Sequence, residues 1–229
     1  VSVMCDHFLS VPVSSEARLR NLAWIEDNRR MVDRLTNGRV AYVYMPDTAF
    51  GGYTNFNRYF YAQVGKEAAI IDERFNGGGM LATDIIEMLS RRLLSMVATR
   101  DGELEQQPQG AIFGPKVMLI NEFAGSGGDA MPWYFKRAGV GKLIGKRTWG
   151  GLVGRAFAPT LMDGGFVSSP SSGVFNPATG EWEVENIGVA PDIEVEQDPE
   201  LMRQGKDPQL DKAVEVVMAE LAKNPLPKP

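Results

Sequence analysis

Two apolar runs, "AAIIDERF" (68–75) and "KVMLINEF" (116–123), each stop at a glycine-rich turn that opens a helical pattern. A strand that is apolar at successive positions, rather than at alternate ones, has no side to turn to water, so both of its faces must be covered. A parallel sheet with helices on its faces meets that demand, and the neighbouring segments supply the parts. "RVAYVYMP" (39–46) reads as a strand stopped by Pro46, and "YTNFNRYFYAQVG" (53–65) as an aromatic-rich helix closed by Gly65. "MLATDIIEMLSRRLL" (80–94) reads as a helix and "KLIGKRT" (142–148) as a short strand. Strand and helix patterns therefore alternate from Arg39 to Thr148, the signature of an α/β fold with a parallel or mixed sheet.

Around this block the patterns are simpler. "EARLRNLAWIEDNRRMVDRL" (16–35) predicts a helix capped by Ser14 or Ser15 and ended by Asn37-Gly38, with Leu19, Leu22, Ile25 (or Trp24), Met31 and Leu35 as its buried stripe. The polar stretch "ATRDGELEQQPQGAIFG" (98–114) is expected to be a surface loop. Gly150 to Val189 reads as short strands and loops, "DPQLDKAVEVVMAELAK" (207–223) as an amphipathic helix and "NPLPKP" as a frayed tail. Residues 1–13 alternate like a strand, without a cap or an initiator Met, and are expected to be the tail of an earlier region.

Composition narrows the function classes. No apolar run approaches the ~20 residues of a membrane-spanning helix. The net charge of −5 is spread along the chain with no basic stripe, which argues against a nucleic-acid partner. One cysteine (Cys5) and one histidine (His7) exclude an internal disulfide and argue against a zinc site. No metal and no cofactor is expected.

The chemistry lies in the two turns, Asn76–Gly79 and Gly125–Gly128. Open α/β sheets bind ligands just beyond the carboxyl ends of their strands, where such turns lie. A glycine-rich turn opening a helix presents unpaired backbone N–H groups that favour negative charge. Side by side, the two turns would form an oxyanion hole, although glycines also serve any tight turn. Ser126 carries the same ambiguity. With Asp129 three residues on it makes an S-x-x-D capping box, while its place at a strand-to-helix turn, beside the N–H of Gly127, suits a nucleophile. Neither turn has the Gly-Lys-Ser/Thr of a P-loop, so phosphate binding is the weaker reading.

Four separated stretches, "IIDERFNGGG", "NEFAGSGGD", "GKLIGKRTWGGLVG" and "VENIGVAPDIEV", in this order, resemble the C-terminal catalytic domain of the tricorn protease family, a branch of the S41 serine peptidases. The resemblance extends from about Ser14 to Lys223. It implies a crotonase- or ClpP-like α/β core over 14–224, with a twisted, mainly parallel sheet flanked by helices and an additional N-terminal helix. It assigns residues 1–13 to the tail of a PDZ-like region and leaves 225–229 as a disordered tail. It implies Ser126 as the nucleophile and the N–H groups of Gly79 and Gly127 as the oxyanion hole. Position 127 is an aspartate in the archaeal pattern, a change that a backbone role survives. Glu185, in "VENIG", matches the carboxylate that orients a catalytic histidine.

A serine nucleophile needs a base. S41 processing peptidases use a lysine in a motif resembling "TFGKG", but here Gly151 occupies the lysine position, and Lys146, five residues earlier, reads as a strand-end charge. The tricorn pattern draws a Ser-His pair from an upstream segment, so the chain is expected to be a fragment that is weakly active or inactive alone. His7 is read as a surface residue of the PDZ-like tail, with the role of base as the minor alternative. The loop with Asp101, Glu103 and Glu105 lies where the family selects basic side chains, which makes Asp101 a substrate-binding candidate beside the plainer reading of a solvated charged loop. Implied partners are a peptide or unfolded polypeptide, the upstream propeller, Ser-His and PDZ segments, and further copies of the chain. Two competing readings are a crotonase-like acyl-CoA enzyme, in which Ser126 has no task, and a non-catalytic binding module of the same fold.

Overall fold

The chain's computed structural model describes residues 13–157 and 159–224. In chain order the elements are α1 (Ala17–Leu35), β1 (Val40–Tyr44), α2 (Phe50–Tyr61), β2 (Ala68–Asp72), α3 (Ala82–Leu89), β3 (Ser95–Ala98), β4 (Leu104–Gln107), β5 (Lys116–Ile120), α4 (Gly127–Arg137), β6 (Gly141–Gly145), β7 (Gly154–Phe157), β8 (Ser168–Ser172), β9 (Ile193–Glu194), α5 (Pro199–Arg203) and α6 (Pro208–Lys223). One sheet has the order β1-β2-β5-β6-β9, and every neighbouring pair in it is parallel. The mainly parallel sheet flanked by helices, with an N-terminal helix added, is the architecture expected from the sequence.

Strands β1, β2 and β5 are buried at every position, as their continuous apolar runs require. Alternate side chains serve two cores. Val43, Ile71, Met118 and Leu143 join Phe56, Phe60, Ile85 and Phe135 of α2, α3 and α4. Val40, Tyr42, Ile70, Leu119 and Ile144 join Ile25 and Val32 of α1 and Leu210, Val214 and Val217 of α6. The asymmetry has a cause. The sheet grows in one direction from β1 to β6, and right-handed crossovers put all three connecting helices on the same face. The opposite face would be bare without α1 and α6.

Several expectations need correction. Helix α1 is N-capped at Glu16 with no side-chain cap bond, and Ser15 Oγ accepts only from Ala17 N–H at 3.3 Å. Its buried face is Ile25, Asn28 and Val32, whereas Leu19, Leu22 and Leu35 are 56, 49 and 53% exposed. A polar residue faces the sheet because Asn28 Nδ2 donates to the Tyr42 hydroxyl (3.1 Å), which in turn donates to Asp72 Oδ2 (2.7 Å). Helix α2 starts three residues early, where Asp47 Oδ1 accepts the N–H groups of Ala49 and Gly52. Helix α3 ends at Leu89 rather than Leu94, where Ser90 Oγ turns back onto the Ile86 carbonyl (2.6 Å). The polar stretch expected to be a loop contains most of an antiparallel hairpin, β3 with β4, closed by Thr99 and Glu103 across Gly102.

Buried charge ties α6 to the sheet. Arg74 donates from Nε and Nη2 to the two oxygens of Asp72 (3.0 and 2.7 Å) and from Nη1 to Asp207 Oδ1 (3.0 Å). Asp207 also caps α6 by accepting Leu210 N–H. Burial raises the Asp207 carboxyl, but the charge and hydrogen bond of Arg74, together with the bonds from Leu210 N–H and Gln197, outweigh it and hold the group below its ordinary range.

Candidate active site

Strands β2 and β5 are hydrogen-bonded neighbours, so the turns that leave their carboxyl ends are neighbours as well. Asn76 joins the two turns. Its carbonyl accepts Gly125 N–H (3.1 Å), its Oδ1 accepts Gly78 N–H (2.9 Å), and its Nδ2 donates to Glu73 Oε2 (3.2 Å). The second turn ends at Ser126, whose backbone has φ 57° and ψ −115°. A side-chain-bearing residue there costs about 1–3 kcal/mol unless its surroundings impose the conformation. They do: Ser126 N–H is shared between the Gly151 carbonyl (3.1 Å) and Asp129 Oδ2 (2.9 Å).

Asp129 does more than cap its own helix. Besides Ser126 N–H, its carboxylate accepts the Thr148 hydroxyl (2.5 Å), Gly150 N–H (2.7 Å) and Gly151 N–H (2.9 Å), and it is fully buried. It thereby fastens the 148–151 turn against the serine. In the sequence Asp129 showed only the capping-box spacing, and nothing there pointed to Thr148 as a partner.

The glycines are there for close approach. A Cβ on Gly78 would stand 2.7 Å from Ser126 Cβ and 3.1 Å from its Oγ. A Cβ on Gly127 would overlap Thr48 Oγ1 and the Gly79 carbonyl and stand 2.7 Å from Gly79 N. Gly79 itself has φ +141° and lies against the Thr48–Ala49 peptide. Among the described residues, neither Gly79 N–H nor Gly127 N–H has a hydrogen-bond acceptor. These are two unused donors, one from each turn, on either side of Ser126. Thr48 Oγ1 beside them is buried and also lacks a partner.

Two carboxyl groups complete the surroundings. Glu73 is wholly buried, and its carboxyl is pushed well above the ordinary range, chiefly by burial and then by the Asp129 charge. Glu185 is on the open side. Its Oε2 accepts Leu152 N–H and Val153 N–H, both at 2.7 Å, which leaves Oε1 without a partner among the described residues. Ser126, Glu185, Trp149 and Arg155 line one cavity of about 350 Å³, with Ser168 and Ser169 at its rim.

Ser126, Gly79, Gly127 and Glu185 thus come together, the last across the cavity. Gly151, in place of the lysine, has its N–H on Asp129 and its carbonyl on Ser126. Lys146 is occupied elsewhere. It donates to Glu194 (2.8 Å) and Glu196 (2.6 Å), bonds that raise its ammonium above the ordinary value. Asp101 is on the exposed turn between β3 and β4 and does not line the cavity around Ser126. His7 lies outside the described residues.

Comparison with known proteins gives the chain its family. The family model described as "Peptidase family S41" matches residues 39–195. The "Tricorn protease" of Thermoplasma volcanium is 40% identical over 205 residues, which are 90% of this chain and 20% of that protein. "Tricorn protease homolog 1" of Streptomyces coelicolor is 36% identical over 223 residues, 97% of this chain and 21% of that protein. A solved structure described as "Crystal structure of the tricorn protease" superposes with a TM-score of 0.84 at 38% identity, over 90% of this chain and 20% of that one. This chain therefore spans about a fifth of the length of the relatives it matches. The matched region includes both glycine turns, Ser126 and Glu185, and by that match the chain belongs to peptidase family S41.

Proposed function

We propose that this chain is the nucleophile-bearing domain of a serine peptidase of tricorn type, with residues 14–224 as its peptidase core. Ser126 Oγ attacks a peptide carbonyl, and the oxyanion is received by the N–H groups of Gly79 and Gly127. The amine product leaves with a proton, and water then hydrolyses the acyl-enzyme on Ser126. The observation that carries this reading is the pair of unused N–H donors bracketing a serine in a conformation that its neighbours enforce. Preorganised donors of this kind typically contribute ~10²–10³ in turnover each.

The base comes from outside the described residues. Glu185 Oε1 is free to orient a histidine, as the family resemblance implies, and that histidine arrives with a Ser-His segment ahead of the PDZ-like tail assigned to residues 1–13. A propeller and further copies of the chain belong to the same expected assembly. The substrate is a peptide or an unfolded polypeptide.

Fluorophosphonate labelling, read by mass spectrometry, tests the assignment of the nucleophile. Adding the upstream Ser-His segment should give an adduct on Ser126, and Ser126→Ala should abolish it. An adduct on another residue, or no adduct even with the segment present, would sink the nucleophile role. A non-catalytic peptide-binding module is the second reading, favoured by the absence of a histidine among the described residues. Tight peptide binding without any labelling is its distinguishing result.

A further inference from the structure

The cavity beside Ser126 contains one cation. Arg155 is the second residue of β7, at a register irregularity between Gly154 and Arg155 in the pairing of β7 with β8. Irregularities of this type re-aim a side chain and gather beside active sites. Arg155 is exposed and has no salt bridge and no hydrogen bond among the described residues. The other charged group of the cavity, Glu185, lies beyond 4.0 Å from the guanidinium and has one oxygen committed to two backbone donors. Ser168 and Ser169 add hydroxyl donors to the same space.

A guanidinium with no anion to balance it, in a cavity of about 350 Å³, selects a small planar anion. Its fork of N–H groups matches both oxygens of a carboxylate, a geometry that an ammonium group cannot reproduce. We infer that Arg155 recognises an acidic side chain of the peptide substrate near the cleaved bond, at the Ser126 cavity. This deepens the peptidase reading and rests on it. It also reverses the sign of the specificity expected from Asp101, which lies outside this cavity.

The test is calorimetric titration of the Ser126→Ala chain with matched hexapeptides. They carry Glu, Gln or Lys at one internal position, with a free or an amidated C-terminus. A solvent-exposed guanidinium–carboxylate pair predicts roughly two- to fivefold tighter binding of the peptide with the recognised carboxylate. Adding Arg155→Gln should abolish that preference, and Arg155→Lys should keep part of it. A preference for Glu over Gln that Arg155→Gln removes bears the inference out, and a preference only for free acid over amide overturns it. The inference is overturned if the peptides bind alike, if the preference survives Arg155→Gln, or if none binds at millimolar concentration. Labelling of the Ser126 protein separates the two levels. An adduct without a charge preference removes Arg155 alone, and an Arg155-dependent preference without an adduct removes the nucleophile alone.

Discussion

Ser126 departs from ordinary backbone geometry, and its close-packed neighbours hold it there. Gly127 is one of them, because Thr48 Oγ1 occupies the place where a side chain at 127 would begin. Introducing the aspartate of the archaeal pattern, Gly127→Asp, should therefore destabilise the protein by about 1–3 kcal/mol, the usual cost of overpacking. In Thr48→Ala the same substitution should cost clearly less, since residues in contact are not additive. Urea midpoints for the two single variants and the double variant measure the coupling, and additive effects would show that Thr48 is not the obstacle. At this scale the sequence was partly legible. A serine between glycines after a buried strand pointed to the site. Thr48 and the bonds from Asp129 to the 148–151 turn did not stand out, because those contacts join residues distant in sequence and arise only through the packing of the turns.

Among the elements, β1, β2, β5 and β6 were legible because their apolar runs admit few environments, whereas the two-residue β9 has no such run and was not. The hairpin β3–β4 was not: its residues are exposed or half-buried, so no apolar alternation marked it. The face of α1 was misread for a related reason, since Asn28 is buried by a hydrogen bond to Tyr42 that periodicity cannot anticipate. Strand β5 carries a similar exception at its first residue. Lys116 is buried, its ammonium donates to the Gly114 carbonyl (3.1 Å), and burial pulls its pKa down to about 8. Because the unfolded chain binds this proton up to about pH 10.5, the cost to the folded state is full below pH 8 and fades as pH rises toward 10.5. Lys116→Met should thus stabilise the protein at pH 7 by on the order of 1–3 kcal/mol, and the gain should shrink by pH 10. Denaturant titrations at both pH values check this, and a gain independent of pH would assign the effect to packing instead.

At the scale of the molecule, the described residues contain the proposed nucleophile Ser126, the proposed oxyanion donors of Gly79 and Gly127 and the proposed orienting carboxylate Glu185 on three separate turns, and no histidine. The chain alone should hydrolyse a fluorogenic peptide only at the residual level, ~10³–10⁴-fold over water, that a triad without its base retains. Supplying the upstream Ser-His segment should raise turnover by at least ~10², the lower range for a general base. Full turnover by the unassisted chain, abolished by Ser126→Ala, would place the base within these 229 residues. The direction of α1 bears on how a base reaches the site. Its last turn leads directly into β1, so it runs antiparallel to the strands and its first half lies at their carboxyl ends. There Trp24 meets Phe75 edge-on (6.3 Å), and Phe75 stacks on Phe123 of the Ser126 turn (5.6 Å). Helix α6 also runs away from that end, finishing where Glu220 meets Lys142 at the start of β6 (2.9 Å). The molecule therefore has an entrance rim and an exit rim. The first half of α1 shares the rim of the sheet that carries the Ser126 turn, and α6 finishes at the opposite rim. A purification handle or fluorophore therefore belongs after α6, on the rim away from the Ser126 turn.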